Sequence, residues 1–138
     1  GAHPDVDLVP IRYVNRGFVR AELFGFYRAA KIGLVTPLRD GMNLVAKEYV
    51  AAQDPDDPGV LILSRFAGAA EQLTDALLVN PHDGGEVSRA IWTAMNMPLA
   101  ERKARWEKLF ATVRDADVIG WADDFLSALT QDPALPAA

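Results

Sequence analysis

The spacing of apolar residues changes several times along the 138-residue chain, and each change predicts a new element. The β-branched and aromatic run VPIRYVN at 9–15 predicts a strand. Apolar residues in 18–31 then recur about every 3.6 positions, which predicts an amphipathic helix. The short apolar run IGLVT at 32–36, ended by a proline, is typical of a strand buried on both faces.

The same alternation continues through the middle of the chain. Residues 42–53 carry apolar side chains on a helical period, and Asp40-Gly41 supplies a start signal for that helix. The next predictions are a buried strand at 59–64, a loop and short helix at 65–73, a fourth strand at 76–81, and helices at 83–96, 99–115 and 118–129.

Strands that alternate with helices through short connections predict an α/β fold with a parallel sheet and helices on both faces. We therefore expect a partial doubly wound, Rossmann-like sheet followed by C-terminal helices. One partial domain is predicted over 9–130, with residues 1–8 disordered or vector-derived and a flexible tail at 131–138. Four strands are few for such a sheet, so an N-terminal portion is expected to be missing.

Composition narrows the class of protein. Half of the residues are apolar and 24% are charged, which is typical of a globular domain. No apolar run approaches the ~20 residues of a membrane span, and residues 1–8 do not resemble a secretion signal, so a cytoplasmic protein without membrane contact is predicted. The net charge of -5 disfavours nucleic-acid binding.

Metal chemistry is also disfavoured by the residue types present. There is no cysteine, and the two histidines, His3 and His82, are far apart. The acidic run DPDDPG at 54–59 does not fit a calcium loop, because Pro58 occupies a ligand position, and it predicts a tight turn instead. We therefore predict neither a metal nor another cofactor.

The loop TPLRDGMN at 36–43 is the main candidate site, because it joins a predicted strand to a predicted helix at the carboxyl edge of the sheet. The start of that helix offers free N–H groups to an anion, and Gly41 permits close approach of the backbone. Asp40 is either a ligand contact or only the helix N-cap.

Glu48, further along the same helix, has two interpretations. It is either a carboxylate that accepts the vicinal hydroxyls of a ribose, or a surface residue that is solvated or paired with Lys47 or Arg28. The glycine-rich fingerprints of dinucleotide and P-loop sites are missing. A helix start followed by an acid, without those fingerprints, indicates a sugar nucleotide.

Three stretches carry a resemblance that covers about residues 9–129: GLVTPLRDGMNLVAKEYVAAQ, PGVLILSRFAGAAEQL and ALLVNPHDGGEV. They resemble the C-terminal, donor-binding region of bacterial trehalose-6-phosphate synthases, which are retaining glucosyltransferases of the GT-B fold. The resemblance implies transfer of glucose from UDP-glucose to glucose 6-phosphate, giving trehalose 6-phosphate and UDP without an obligatory metal.

The resemblance also implies roles for individual residues. Asp40 would contact donor glucose hydroxyls, and Glu48 the ribose hydroxyls of UDP. Phe18 and Leu23 would form the wall beside uracil. The backbone that meets glucose and diphosphate would be that of Gly41, Met42, Asn43, Leu44 and Val45. Arg39 receives no ligand role, and a structural ion pair is expected for it. No catalytic residue is assigned.

The resemblance further implies that the last helix, with Trp121 and Phe125, crosses back to an N-terminal domain that binds glucose 6-phosphate and lies outside this sequence. The arginine and lysine that grip the donor diphosphate are outside it as well. We therefore expect the 138-residue chain to be inactive alone.

Two other functions stay open. The chain could be an interaction module that forms a homo-oligomer or binds a separate N-terminal chain, or a related transferase with another donor or acceptor. Trp92, Met95 and Trp106 are expected to lie in the core or at a domain interface.

Overall fold

The computed structural model describes residues 11–115, which form one parallel sheet with helices on both faces. The elements are α1 (Arg20–Ala29), β1 (Ile32–Val35), α2 (Leu44–Ala52), β2 (Val60–Ser64), a 3₁₀ turn (Gly68–Glu71), β3 (Leu77–Val79), α3 (Gly84–Met95) and α4 (Leu99–Asp115). The predicted α/β class is confirmed. No helix within 11–115 has the length and apolar character needed to cross a membrane.

Strand β2 lies between β1 and β3 and pairs with both in parallel. Ile32 of β1 is the partner of Val60, and Ile62 is the partner of Leu77 of β3. Every residue of β2 is buried, as expected for a central strand covered on both faces. Because the strands are parallel, the loops that follow all three of them leave at one edge of the sheet, the carboxyl edge.

Each face of the sheet buries its own cluster, because successive side chains of a strand point to opposite faces. Leu61 and Leu63 pack in one cluster with residues of α2 and with Leu109 of α4. Ile62 packs in the other cluster with Ala94 at the end of α3. The prediction of helices on both faces is therefore confirmed.

Tyr49 holds α2 against β1. Its ring covers Gly33 so closely that a Cβ at Gly33 would lie 2.8 Å from the ring, and its hydroxyl donates to the carbonyl oxygen of Ala30 at 2.9 Å. Burial raises the pKa of the Tyr49 phenol far above its ordinary value. This contact fixes where α2 lies above the sheet.

Gln53, just after α2, joins three segments through a buried amide. Its Nε2 donates to the carbonyl oxygens of Tyr27 at 2.7 Å and Tyr49 at 3.1 Å. Its Oε1 accepts the backbone N–H of Gly59 at 2.8 Å. The amide therefore ties α1 and the chain before β2 to the end of α2.

The strand predicted at 9–15 is wrong for the residues that the structure describes. Residues 11–15 have no regular secondary structure, and Ile11, Tyr13 and Val14 are exposed. A β-branched and aromatic run forms a strand only where another strand accepts its backbone hydrogen bonds. The described sheet has three strands and no partner for this segment.

The tryptophan and methionine positions divide between two environments. Trp92 and Met95 of α3 are 69% and 73% exposed, so the core interpretation is wrong for them, and a domain interface stays the prediction. Trp106 of α4 packs against the core, stacks on Phe110 and donates from Nε1 to the carbonyl oxygen of Val50 at 3.0 Å. The core interpretation is confirmed for Trp106 alone.

The two predicted helices after β3 are confirmed, with bounds within a residue of those expected for 83–96 and 99–115. The predicted helix at 118–129, which includes Trp121 and Phe125, lies outside the described residues. So do the terminal segments 1–8 and 131–138.

Candidate functional site

The loop that follows β1 turns at Asp40, at the carboxyl edge of the sheet. The Oδ1 atom of Asp40 accepts the backbone N–H groups of Met42 and Asn43, both at 3.2 Å. Its Oδ2 atom accepts the side-chain amide of Asn43 at 2.9 Å. The Asp40 carboxylate therefore closes a compact turn around Gly41.

Asn43, and not Asp40, caps helix α2, which corrects the predicted start signal. Asn43 has a left-handed backbone with φ 65°, and its side chain accepts the N–H of Ala46 at 2.9 Å. An asparagine tolerates this conformation better than most residues do. The helix therefore begins at Leu44, three residues later than an Asp40 cap would place it.

The start of α2 presents unpaired N–H groups. An α-helix cannot satisfy its first amides internally, and the Asn43 cap takes only that of Ala46. Within residues 11–115, the N–H groups of Gly41, Leu44 and Val45 donate to no protein atom. These amides and the positive end of the helix macrodipole favour an anion at this position.

Glu48 lies one helical turn beyond this start, on the same face as Leu44, about 6 Å along the helix axis. Its side chain is half-buried. The pair with Lys47 or Arg28 is wrong, because Lys47 binds Oε1 of Gln72 and Arg28 binds Asp54, whereas the alternative of a solvated residue stays open. No ion pair within the described part of the chain includes Glu48.

The environment of Glu48 also affects a neighbouring phenol. Burial raises the pKa of Tyr27 on α1, and the negative charge of Glu48 raises it further. The two residues are therefore close enough to interact, across the contact between α1 and α2.

Phe18 lies just before α1 and Leu23 lies within it, so both belong to a different segment from the loop. Phe18 meets the ring of Phe26 edge to face, with centroids 5.1 Å apart, and the Arg16 guanidinium lies 4.7 Å from the Phe18 ring. Leu23 is half-buried on α1, which packs beside α2. The structure thus brings the loop, the start of α2 and Glu48 together, and sets Phe18 and Leu23 on the neighbouring element.

A second loop contacts the first, and sequence reasoning did not assign it to the site. A parallel bridge joins Asp40 to Ala67 in the segment after β2. The N–H of Gly68 donates to the carbonyl oxygen of Asp40 at 3.0 Å, and that of Ala69 donates to Met42 at 2.9 Å. The small-residue run AGAA at 67–70 was the available signal, because small residues permit two backbones to approach closely.

The third loop of this edge follows β3. Asp83 caps α3 by accepting the N–H of Glu86 at 2.9 Å, and Glu86 pairs with Arg65 from the second loop. The ring of His82 lies 6.0 Å from that of Phe66. These contacts tie the third loop to the second.

Two charged features of the sequence remain, Arg39 and the acidic run at 54–59. Arg39 is exposed, and the ion pair expected for it is not found among residues 11–115. The predicted turn at 54–59 is confirmed by hydrogen bonds from the N–H groups of Asp56 and Asp57 back to Asp54. The described residues hold no cluster of three metal-type side chains.

The parallel sheet with helices on both faces, and a turn and helix start at its carboxyl edge, define the class as a Rossmann-like α/β fold. The family model for glycosyltransferase family 20 matches residues 1–131. The chain belongs to glycosyltransferase family 20.

Relatives of known name agree with this assignment. The chain is 58% identical to the trehalose-6-phosphate synthase of Sinorhizobium fredii, over 94% of this chain and 28% of the relative. It is 51% identical to that of Sodalis glossinidius, over 97% of this chain and 29% of the relative. The chain thus spans less than a third of these proteins.

Solved structures show the same fold. A UDP-forming α,α-trehalose-phosphate synthase from Burkholderia xenovorans in complex with glucose-6-phosphate matches with a TM-score of 0.84 and 50% identity, over 92% of this chain and 28% of that one. An E. coli structure bound with UDP-2-fluoro glucose matches with a TM-score of 0.83 and 51% identity, over 93% and 28%. The resemblance to this family is confirmed.

Proposed function

We propose that this chain forms the donor-binding part of an enzyme that transfers glucose from UDP-glucose to glucose 6-phosphate, forming trehalose 6-phosphate and UDP. Relatives named as UDP-forming synthases, and related structures bound with a UDP-sugar or with glucose-6-phosphate, support both substrates. The observation that carries the proposal is a set of amides at the start of α2 and, one turn along the same face, Glu48, none of which pairs with another residue of 11–115.

The diphosphate of the donor binds at the amides of Leu44 and Val45, with the backbone of Gly41, Met42 and Asn43 around the phosphate and glucose. The helix dipole stabilises the negative charge that grows on the leaving diphosphate as the glycosidic bond breaks. No side chain of this segment is needed as a nucleophile.

Asp40 orients the donor glucose through its remaining acceptor capacity. A carboxylate has about four lone-pair positions, and Oδ1 already accepts two N–H groups while Oδ2 accepts one. One position on Oδ2 is left for a glucose hydroxyl. The turn that uses the other three fixes the direction of that last one.

Glu48 accepts the two vicinal hydroxyls of the ribose, and Phe18 and Leu23 form the wall beside uracil. The axial distance of about 6 Å between Leu44 and Glu48 suits a ligand that places its phosphates at the helix start and its sugar one turn along. A carboxylate without a cationic partner is a good acceptor for hydroxyls, because charged acceptors form the stronger hydrogen bonds.

Calorimetric titration of the chain with UDP and with 2′-deoxy-UDP tests the Glu48 assignment. Glu48→Gln should weaken UDP binding roughly ten- to hundredfold, since charge-assisted hydrogen bonds contribute about 1.5–3 kcal/mol. The same substitution should affect 2′-deoxy-UDP much less, because one of the hydroxyls is missing. Glu107→Gln on the exposed side of α4 is the matched control. An equal loss for both nucleotides would contradict a ribose role.

The acceptor glucose 6-phosphate binds outside this chain, in the remaining part of the longer relatives. We therefore propose that the 138-residue polypeptide does not turn over alone. Incubation with UDP-glucose and glucose 6-phosphate should yield no trehalose 6-phosphate, and formation of that product would contradict this proposal. A cytoplasmic location and the lack of nucleic-acid or membrane partners stay predictions.

The interaction module remains the second candidate, and one observation favours it. Strand β1 is at an edge of the described sheet, and Leu34 within it is 47% exposed. An apolar edge of this kind favours association with another chain. Sedimentation of the chain decides between the two candidates: a monomer that binds UDP supports the donor-binding function, and a homo-oligomer without UDP affinity supports the module.

A further inference from the structure

Gly68, in the segment after β2, lies directly against the backbone of the candidate donor loop. A Cβ at Gly68 would be 1.9 Å from the carbonyl oxygen of Gly41 and 2.9 Å from its carbonyl carbon. Non-bonded carbon atoms normally approach to about 3.5–4.0 Å. The obstacle is main chain, so no side-chain rotation relieves it, and any larger residue at Gly68 must displace the loop.

The hydrogen bonds beside this contact determine how the loop amides point. The carbonyl oxygens of Asp40 and Met42 are held by the N–H groups of Gly68 and Ala69. In a planar trans peptide the C=O and the following N–H point in opposite directions. Holding the Asp40 carbonyl toward Gly68 therefore turns the N–H of Gly41 away from this segment, and there it donates to no residue of the described range 11–115.

We propose that Gly68 is a positioning residue for the donor diphosphate, an inference that rests on the proposed donor-binding function. By permitting backbone contact, Gly68 lets the segment Phe66–Ala69 hold the Asp40–Met42 backbone in one conformation before the ligand arrives. The amides of Gly41, Leu44 and Val45 then need no rearrangement to receive a phosphate. Ligand contacts arranged in advance increase affinity, because less ordering is needed on binding.

Core packing does not by itself explain a glycine at this position. Ala67, Ala69 and Ala70 belong to the buried cluster, whereas Gly68 is only partly buried. Gly68 does not have a positive φ, so an ordinary side chain could adopt its backbone conformation. The requirement for glycine comes from the Gly41 backbone, which is part of the candidate site.

The test compares Gly68→Ala with Gly84→Ala, a matched change where a Cβ would meet nothing within 4 Å. Amide NMR spectra of each ligand-free chain are recorded, followed by titrations with UDP and with uridine. Uridine shares the base and ribose contacts and lacks the diphosphate. A displaced loop should weaken UDP binding at least about tenfold and leave uridine binding within about twofold, whereas general destabilisation weakens both alike.

We expect Gly68→Ala to shift the amide signals of Gly41, Leu44 and Val45 without ligand, and to lose affinity for UDP selectively. Gly84→Ala should do neither. Unshifted signals in a folded Gly68→Ala chain, or equal losses for UDP and uridine, would overturn the proposal. If the unaltered chain binds no UDP, the donor-binding function fails, while the ligand-free spectra still decide whether Gly68 positions the loop.

A measurement on the unaltered chain covers the case in which Gly68→Ala does not fold. The N–H groups of Gly68 and Ala69 bind the loop from behind, so UDP that stabilises the loop should slow their hydrogen exchange, because coupling between two sites is reciprocal. Slower exchange at both amides supports the positioning role. Unchanged exchange at saturating UDP would overturn it.

Discussion

Asn43 and Asp40 hold one another across the turn that precedes α2. The Nδ2 of Asn43 donates to Oδ2 of Asp40 at 2.9 Å, while the backbone N–H of Asn43 donates to Oδ1 at 3.2 Å. Asn43 also caps the helix from a left-handed backbone, the one non-glycine residue of 11–115 with a positive φ. Asn43 therefore caps the helix, closes the turn and orients the Asp40 carboxylate.

Substitution of Asn43 should separate these contributions. Asn43→Ala loses the cap and places an alanine in a left-handed conformation, so it should destabilise the chain by about 2–3 kcal/mol. Asn43→Gly keeps the backbone conformation accessible and should cost about 1 kcal/mol less. Urea unfolding measures both values. Equal destabilisation would show that the left-handed conformation contributes nothing.

Gly41 and Gly68 face each other, but only at Gly68 does the neighbouring backbone leave no room for a Cβ atom. A Cβ at Gly41 would meet nothing within 4 Å, and the residue does not have a positive φ. Gly41→Ala should therefore leave the thermal unfolding midpoint within about 2 °C of the original, a change of less than ~0.5 kcal/mol. UDP-glucose binding should fall, because the methyl group occupies the space proposed for the donor. Unchanged affinity for UDP-glucose would remove Gly41 from the site.

Gly33→Ala should show how strongly Tyr49 holds α2 to the sheet. The added methyl would press on the buried ring at 2.8 Å, and overpacking of this kind costs about 1–3 kcal/mol. Tyr49→Leu removes the ring, so the cost of Gly33→Ala should shrink in that background. A double-mutant cycle by urea unfolding measures the difference. Additive effects would mean that the ring is not the obstacle.

Asp57, in the turn at 54–59, should make the free energy of unfolding depend on pH. Hydrogen bonds from Lys31 and then Arg102 hold the pKa of Asp57 below its ordinary value. A carboxyl whose pKa is lowered by folding stabilises the protein above its unfolded pKa, about 3.9, and the stabilisation is lost as pH falls through the folded pKa.

Asp57→Asn should therefore lower the thermal midpoint at pH 6 and have less effect at pH 3, as calorimetry or circular dichroism would measure. Asp56→Asn is the control, because the Asp56 side chain is 97% exposed and lies 3.7 Å from its partner Lys103. A constant effect of Asp57→Asn from pH 6 to pH 3 would contradict the role assigned to the Asp57 charge.

Local patterns predicted most elements because their causes are local. The uninterrupted apolar run of β2 is compatible only with burial on both faces, and the helical spacing in α2, α3 and α4 repeats over enough turns to be unambiguous. The segment at 9–15 had the same β-branched and aromatic character as a strand. That prediction was wrong because a strand also needs a neighbouring strand to pair with. The pattern of side chains in 9–15 does not show whether such a neighbour is present.

The sequence by itself determined the α/β class, the loop and helix that hold the candidate site, and, through resemblance, the family. Only the tertiary structure decided that Asn43 replaces Asp40 as the cap, that Glu48 forms no ion pair with a residue of 11–115, and that Gly68 contacts Gly41. The physical reason is distance along the chain. Gly41 and Gly68 meet because β1 and β2 pair in one particular register, and a contact set by strand pairing leaves no signal in the spacing of neighbouring residues.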